Sequence, residues 1–379
     1  MGPLDGLKVI ELAGIGPGPM AAMLLADLGA TVLRVDRKEP AELGVPRPQK
    51  FDLLLRNRRS VPVDLKDPAS VAFVLDLVST SDVLIEGFRP GVAERLGLGP
   101  ETCLERNPKL VYGRITGWGQ DGPLANTVGH DINYIALTGA LHAIGRAGQA
   151  PAIPVNLVGD FGGGTLYLVM GILAALHEAK VSGKGQVVDA AMVDGVASLM
   201  TQPYGTFAAG MMTNERGTNV TDSGAPFYDV YECSDGKWLS IGAVEKKFYA
   251  QVLLVLGLES LLADQWQRGN WPAAKEQIAR KIRTRTRDAW AAVFEGTESC
   301  VAPVLTLEEA PHHPHLRERG TYVEIDGVTQ PAPAPRFSRS VPPTPQPFRP
   351  WKREEAQQIL GSWLDDAQLA AARSAGVID

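Results

Sequence analysis

The chain has 379 residues, of which 45% are hydrophobic, and its formal net charge is −6. This length exceeds what one ordinary compact core needs and predicts two domains. The acidic balance disfavours general nucleic-acid binding, because a basic domain is the usual electrostatic footprint of such proteins. The three cysteines lie far apart with no Cys-x-x-Cys pair, so neither a disulfide framework nor a thiolate metal site is predicted.

The opening of the chain predicts a right-handed βαβ unit. Residues 7–12 form a predicted strand, a glycine turn follows at residues 14–19, a helix runs to about residue 28, and a second strand covers residues 31–36. Short apolar runs then alternate with helical patterns, which is typical of an open, mostly parallel α/β sheet. The further predicted strands are residues 60–65, 83–86 and 110–116, and the helices are residues 68–79 and 100–106.

The second half predicts the rest of this domain and a smaller one. Helices are predicted at about residues 130–142 and 161–178, followed by a strand at residues 186–190. An apolar segment interrupted by Pro203 and Gly205 leads to a second block of strands and helices, and the proline-rich run 331–350 predicts an extended surface segment. The predicted boundaries are a large domain at 1–190, completed by about 330–379, a linker at 191–224 and a small domain at 225–329.

Neither a membrane nor a metal is an expected partner. No stretch reaches the roughly 18 to 20 uninterrupted apolar residues of a membrane helix, and residues 1–7 lack the basic-then-apolar pattern of a signal peptide. We therefore expect a cytoplasmic protein. His312, His313 and His315 cluster, but prolines interleave them and no carboxylate pattern completes a metal site.

Positive charge is concentrated in the first hundred residues of this acidic chain. The three clusters are Arg34, Arg37 and Lys38, then Arg56, Arg58 and Arg59, then Arg89 and Arg95. Each residue by itself could be solvated surface. Three clusters beside predicted strand ends instead favour a ligand that carries several phosphates.

The glycine turn leaves the nature of that ligand open. Asp36 lies about twenty residues beyond the glycines, where a Rossmann fold places its ribose-binding acid. The turn reads G-x-G-x-G, however, and Pro19 occupies the place of the third glycine. Arg37 and Lys38 directly after the acid suit a ribose phosphate. NADP and the 3′-phosphoadenosine of CoA both fit this pattern.

Two titratable residues stand at predicted helix starts. His130 follows a glycine-rich loop, and the helix dipole there favours a neutral imidazole that can act as a base. Asp160 precedes three glycines whose backbone N–H groups could stabilise an enolate oxygen. The alternative is that His130, beside Asp131, and Asp160 simply cap their helices. These patterns alone leave both interpretations open.

Six ordered motifs together resemble the α-methylacyl-CoA racemases of the family III CoA-transferase (CaiB/BaiF-type) superfamily. The likeness runs from about residue 5 to residue 340. The resemblance implies a Rossmann-like large domain with a mostly parallel sheet, long linkers, a smaller α/β domain and an interlocked homodimer. The motifs are residues 11–19, 87–91, 129–134, 156–164, 183–190 and 224–228.

The resemblance also implies a site and a chemistry. His130 and Asp160 match the catalytic pair, and Glu245, contributed by the partner chain, matches the glutamate that orients the histidine. Inverting the carbon α to a thioester requires an acid/base group on each face and neither metal nor redox cofactor. The backbone N–H of Asp160 would hold the thioester oxygen. The implied CoA contacts are Ile15, Arg37, Arg56, Arg58, Arg59, Arg89, Asp131 and Tyr134.

Three departures from the family pattern and three alternative functions remain. The chain has Asp222-Ser-Gly224 in place of Asp-Gly-Gly, Lys246-Lys247 in place of Pro-Gln, and few linker methionines, which leaves the acyl group undefined. One alternative is a CoA-transferase of the same superfamily with Asp160 as covalent nucleophile. An NADP-dependent oxidoreductase and a non-catalytic CoA-binding protein rest only on the βαβ unit.

Overall fold

The computed structural model describes residues 1–39 and 44–378. The chain divides into two compact units. The first consists of Met1–Thr138, Val155–Leu199 and Arg317–Asp379, of which Asp379 itself lies outside the described residues. The second consists of Gly139–Pro154 and Met200–Leu316. The segment predicted as a linker, 191–224, is thus divided between the two units.

Strands and helices alternate along the described residues. The strands are β1 (Lys8–Leu12), β2 (Thr31–Arg37), β3 (Arg59–Val63), β4 (Val83–Glu86), β5 (Val111–Thr116), β6 (Gln186–Ala191), β7 (Tyr228–Glu232), β8 (Trp238–Gly242), β9 (Val301–Pro303), β10 (Tyr322–Ile325) and β11 (Val328–Pro331). The α-helices are α1 (Pro17–Asp27), α2 (Pro68–Ser79), α3 (Val92–Arg95), α4 (Pro100–Arg106), α5 (Asp131–Leu137), α6 (Ala140–Ala143), α7 (Leu166–Ser182), α8 (Met192–Leu199), α9 (Thr201–Ala208), α10 (Lys246–Leu256), α11 (Trp271–Ile282), α12 (Arg287–Phe294), α13 (Pro314–Glu318), α14 (Ala356–Leu360) and α15 (Asp366–Ser374).

The first unit is built on a six-stranded parallel sheet of order β3-β2-β1-β4-β5-β6. This is the doubly wound order of the Rossmann fold, and it confirms the predicted fold class. The strand order reverses between β1 and β4, so the connections leave these two strands in opposite directions. Ligands of such sheets bind outside the carboxyl ends of the strands at this switch point.

The glycine turn between β1 and α1 follows the βαβ prediction. Gly16 has φ 66°, a left-handed conformation that glycine adopts without steric cost. Pro17 then opens α1, where its missing N–H would have had no partner in the helix. The chain therefore turns sharply at the carboxyl end of β1 and brings this backbone close to the switch point.

Helices bury both faces of the parallel sheet. On one face, residues of α1 and α7 pack with Val9 and Ile85. On the other, α2 packs with Leu33 and with the C-terminal residues Leu360 and Trp363, which are at most 3% exposed. Residues of the C-terminal segment up to Ile378 are therefore part of the core of the first unit.

A nine-residue π-helical segment, Leu157–Thr165, leads into α7, where the sequence predicted one helix over residues 161–178. Its glycines permit close packing on α8. A Cβ on Gly163 would lie 2.7 Å from the backbone nitrogen of Val196, and a Cβ on Gly195 would lie 1.8 Å from the carbonyl oxygen of Gly163. Close packing against α8 therefore requires glycine at this place.

The helix predicted over residues 130–142 is interrupted. α5 ends at Leu137, and Gly139 follows with φ 81°. A left-handed glycine of this kind stops a helix, because the αL residue turns the chain away from the helix axis. The segment Gly139–Pro154 belongs to the second unit, and the chain returns to the first unit at Val155.

The second unit contains an antiparallel sheet of order β7-β8-β9 that packs with α10, α11 and α12. Trp290 and Tyr249 are among its buried side chains. In the departing Asp222-Ser-Gly224 segment, Ser223 has φ 76°, a conformation in which glycine would be free of strain. The Asp222 carboxylate accepts hydrogen bonds from the backbone N–H groups of Gly217 and Asn219 at 2.9 and 2.7 Å. This segment is a tightly bonded turn.

One segment of the described residues, Leu157–Ser182, has the length and mean hydropathy of a membrane span. It is 26 residues long, and a third of its most apolar window is buried. The apolar run is interrupted, since Asp160, Glu178 and Lys180 lie within it. Its α7 portion packs on β5 and β6 of the sheet.

Candidate active site

A cavity of about 610 Å³ opens at the switch point of the parallel sheet. It is lined by the residues that follow three of the strands: Gly14 and Ile15 after β1, Gly87 and Arg89 after β4, and Gly117 and Trp118 after β5. The position agrees with the general rule for doubly wound sheets. His130 and Asp160 also line this cavity.

His130 stands at a helix start, as predicted, and it is the N-cap residue of α5, the position that the capping alternative requires. Its backbone is extended, with φ −134°, and its N–H donates to the Asn133 side chain at 3.0 Å. The side chain is exposed at the cavity. An imidazole on a fixed helix start, open to a ligand, has the placement that a general base requires.

Two aromatic rings support the backbone before His130. Trp118 and Tyr134 pack edge to face with ring centroids 4.8 Å apart, and the Tyr134 hydroxyl donates to the carbonyl oxygen of Gly129. Gly117 and Gly129 leave room for the Tyr134 ring, since a Cβ on either would lie within 2.8 Å of it. Burial, together with the charges of Asp160 and Asp131, raises the pKa of Tyr134 to about 12, so the phenol keeps its proton.

Asp160 faces the same cavity from the π-helical segment. Its carboxylate accepts a hydrogen bond from Asn156 Nδ2 at 3.2 Å, and a Cβ on Gly16 would lie 3.3 Å from its Oδ2. Burial raises the pKa of Asp160 above its ordinary value. The hydrogen bond from Asn156 and the charge of His130 oppose this rise, and the charge of Asp131 adds to it. Because Asp160 is the fourth residue of this segment, the alternative that it caps a helix is wrong.

The expected role of the Asp160 amide is corrected. Its N–H already donates to Asp131 Oδ1 at 2.7 Å, so it is not free to hold a thioester oxygen. Asp131 is 6% exposed and lies behind the cavity wall, not in the cavity lining. Its predicted contact with CoA is replaced by this internal hydrogen bond.

Four other predicted contact residues do line the cavity: Ile15, Arg37, Arg89 and Tyr134. Arg89 lies in the loop between β4 and α3, which Arg114 clamps at both ends. Arg114 Nε donates to Glu86 at 2.7 Å, and its Nη1 donates to Glu94 at 2.8 Å. Glu86 also accepts from the backbone N–H of Phe88 at 2.6 Å. The loop that presents Arg89 is thus fixed from the buried interior of the sheet.

The arginines at 56, 58 and 59 do not line the cavity. Arg56 is buried and pairs with Asp27, while its Nη1 donates to Gln330 at 3.0 Å. Arg58 is 2% exposed and holds the carbonyl oxygen of Pro19 at 2.7 Å. Arg59 pairs with Glu355 at 2.9 Å. The second basic cluster is therefore structural, and the predicted CoA contacts of these three residues are corrected.

Asp36, the acid that the dinucleotide pattern assigns to a ribose, forms an ion pair inside the protein. Asp36 accepts from Arg34 Nε at 2.9 Å, and Arg34 pairs in turn with the fully buried Glu11. This ion-pair cluster continues to Arg58, whose Nη1 lies 3.1 Å from Glu11. The first basic cluster thus divides: Arg34 is structural, and Arg37 faces the cavity.

Glu245 belongs to the second unit, where it is the exposed N-cap residue of α10. Lys247 beside it lies over the Phe248 ring, with Nζ 4.6 Å from the ring centroid.

The described residues contain no group of three or more His, Cys, Asp or Glu side chains that could hold a metal ion, and this includes the cluster of His312, His313 and His315.

Sequence reasoning missed three residues of the site. Thr165 is fully buried, and its hydroxyl donates to the carbonyl oxygen of Pro17 at 2.9 Å. Trp118 lines the cavity, and Arg114 clamps the Arg89 loop. A basic residue inside the apolar run 110–116 was the available signal for Arg114, because a charge in a buried strand requires partners. Thr165 had no comparable signal.

Comparison with known proteins agrees with this geometry. Residues 4–353 match the family described as CoA-transferase family III. Mouse alpha-methylacyl-CoA racemase is 46% identical over 340 residues, which cover 89% of this chain and 87% of the mouse protein. The human racemase is 42% identical and covers 94% of this chain and 92% of its own length.

Among solved structures, a CaiB/BaiF family protein from Brucella suis superposes with a TM-score of 0.80 at 26% identity. The match covers 96% of this chain and all of that one. A family match across most of the sequence, relatives above 40% identity and a shared fold agree. The chain belongs to the family III CoA-transferases.

Proposed function

We propose that this protein is a racemase of 2-methylacyl-CoA thioesters. The observation that carries the proposal is the placement of His130 and Asp160 at one cavity, where the charge of His130 acts on the Asp160 carboxyl. The racemase relatives, at 42% and 46% identity, support the same activity. An isomerase is the enzyme class that follows.

The proposed reaction is a proton transfer on each face of the α-carbon. One group removes the α-proton, the electrons move onto the thioester oxygen to form an enolate, and the other group returns a proton to the opposite face. The raised pKa of Asp160 suits this exchange, because the carboxyl must hold a proton in one direction and lose it in the other. In this proposal both transfers are made by side chains, so the reaction uses neither a metal nor a redox cofactor.

CoA would bind through cavity residues that carry positive charge. Arg37 and Arg89 line the cavity from two strands on either side of the switch point. Guanidinium groups bind phosphates by charge-assisted hydrogen bonds. We assign these two residues to the phosphates of CoA and the apolar wall near Ile15 to its uncharged parts.

We also propose a homodimer that completes the site. The π-helical segment and α7 expose large apolar side chains. These are Leu157, Leu166 and Met170, which are between 55% and 60% exposed. A second copy would cover these side chains and bring its own Glu245 toward His130 to orient the imidazole and stabilise its cation. A cytoplasmic location is part of the same proposal.

Deuterium exchange tests the function. A single stereoisomer of a 2-methylacyl-CoA, incubated in deuterated water, should lose its α-proton and yield the opposite stereoisomer with deuterium at the α-position. The rival reaction is CoA transfer. Two observations favour it, namely the membership of the family III CoA-transferases and the position of Asp160 at the cavity. Transfer would retain the α-proton and form an adduct on Asp160 that hydroxylamine traps. Finding that adduct without exchange would overturn the racemase proposal.

A further inference from the structure

A buried carboxylate stands directly behind Asp160. Asp131 is 6% exposed, and its Oδ1 accepts the Asp160 N–H at 2.7 Å. Its Oδ2 is buried and has no hydrogen-bond partner among the described residues. A carboxylate in such a position costs stability, because its charge is removed from water without full compensation. A cost of this kind at the edge of a reactive site indicates a function.

The contact between the two residues is close and backbone-mediated. A Cβ on Gly159 would lie 2.4 Å from Asp131 Oδ1, so the peptide between Gly159 and Asp160 rests on the carboxylate. A residue with a side chain could not replace Gly159 without displacing the Asp131 carboxylate. Asp131 also follows His130 directly at the start of α5, so one short segment carries one reactive group and holds the other.

The surroundings of Asp160 leave Asp131 as its main electrostatic neighbour of like charge. Burial has the largest effect on the pKa of the Asp160 carboxyl, followed by the hydrogen bond from Asn156, the charge of Asp131 and the opposing charge of His130. The turn after β1 contributes Gly16, which has no side chain. Tyr134 keeps its proton and contributes no charge.

We propose that Asp131 is a positioning residue that fixes the main chain of Asp160 through the Asp160 N–H and places a negative charge behind its carboxyl group. This rests on the proposed function and deepens it. When Asp160 acts as acid, its O–H bond breaks as the α-carbon gains a C–H bond. In the reverse direction its carboxylate takes the α-proton, and His130 makes the converse transfer on the other face. A negative charge behind Asp160 favours the acid form.

The test isolates Asp160 by working in a His130→Ala background. There Asp160 is the group left to exchange the α-proton of one stereoisomer in deuterated water, and the pH dependence of that exchange reports its titration. Asp131→Asn keeps an oxygen that can accept the Asp160 N–H but removes the charge. We expect the midpoint of exchange to move to lower pH. Asp131→Ser removes the charge without adding an amide donor and should move it in the same direction.

Asp121→Asn is the matched control, since Asp121 is exposed and does not line the cavity. It should leave the midpoint in place. A direct readout comes from protein labelled with [γ-¹³C]aspartate, in which the Asp160 signal, identified with Asp160→Asn, is titrated with and without the Asp131 charge. An unchanged midpoint in both variants would overturn the inference.

The outcomes separate this inference from the proposed function. If the wild-type protein racemises but the His130→Ala variant exchanges neither stereoisomer, the assignment of Asp160 to the second face is wrong. The ¹³C titration still decides the role of Asp131 in that case. In the otherwise wild-type protein, Asp131→Ser should lower kcat for racemisation about 10- to 100-fold, the scale of a displaced reactive group, with little change in KM.

Discussion

The hydroxyl of Thr165 joins the carbonyl oxygen of Pro17, 2.9 Å away, to that of Asp160, 3.2 Å away. Pro17 belongs to the glycine turn that lines the cavity, and Asp160 belongs to the π-helical segment. One buried hydroxyl therefore connects the backbone of the ligand-binding turn to the backbone that carries a reactive carboxyl.

Replacing Thr165 by valine tests this connection. Valine preserves the shape of threonine but removes the hydroxyl that donates to the Pro17 and Asp160 carbonyl oxygens, a loss of about 0.5–1.5 kcal/mol in unfolding free energy. We expect kcat to fall more than KM rises, because the register of Asp160 against the turn is disturbed. Thr165→Ser keeps the hydroxyl and should recover most of kcat. Equal kcat and KM values for the two variants would show that the Thr165 hydroxyl does not contribute to the active site.

The raised pKa of Asp160 has a consequence for stability. Because burial favours its protonated form, the folded state binds this proton more tightly than the unfolded state does. The free energy of unfolding therefore falls as pH rises from the ordinary aspartate pKa, about 3.9, through the raised value. Replacing Asp160 by asparagine removes the ionisable group and with it this decrease in the free energy of unfolding.

We expect Asp160→Asn to be inactive but more stable than the wild type at pH 8, with a rise in Tm on the order of 1–2 °C, the scale of a change below about 1 kcal/mol. The difference should shrink as the pH falls through about 3.9 and vanish by about pH 3, where the carboxyl is protonated in both states. Thermal unfolding of both proteins across this range measures it. A stability gain that is the same at every pH would point to packing instead of ionisation.

Two arginines from the basic clusters give a matched pair for CoA binding. Arg89 lines the cavity, whereas Arg59 pairs with Glu355 away from it. Arg89→Ala should raise KM for acyl-CoA at least about 10-fold with a smaller change in kcat, since a lost charge-assisted contact to phosphate costs about 1.5–3 kcal/mol. Arg59→Ala should leave KM unchanged. A raised KM for Arg59→Ala with an unchanged KM for Arg89→Ala would instead assign the phosphates of CoA to the second basic cluster.

Complementation tests the shared site of the proposed dimer. His130→Ala and Glu245→Ala should each lower activity by at least about 10²-fold, the usual contribution of a positioned acid or base and its support. Unfolding the two proteins together and refolding them should restore part of the activity, because a mixed dimer has one intact site. A verified mixed dimer without activity would show that both residues act within one chain or that Glu245 is dispensable.

The sequence predicted much of the first unit because its signals are local. The strands up to Thr116 follow from alternating apolar runs, and α2 and α4 have their predicted bounds, whereas the short helix α3 was not predicted. His130 at a helix start was also readable, since a glycine-rich loop precedes it. The interruption at Gly139 was not, because a single glycine inside an apolar pattern is also compatible with a continuous helix.

The errors at the site have a common physical cause. A basic residue after a glycine or a strand can face a ligand or an acid on another element, and only the tertiary structure decides between them. Arg58 turns inward to Glu11 and Pro19, while Arg37, one strand away, faces the cavity. The Asp160 N–H was likewise expected to be free, but Asp131 is distant enough in sequence that no local pattern connects the two.

The clamp formed by Glu86, Arg114 and Glu94 determines when the ligand-binding loop becomes ordered. Since both ends of that loop are bonded to a buried strand, it takes its shape during folding, before any ligand arrives. Binding then orders little further backbone, so the entropy lost on association is confined to the ligand and a few side chains. Calorimetry of CoA binding to an Arg114→Lys protein should reveal the clamp as a less favourable binding entropy, because the loosened loop must then be ordered by the ligand itself.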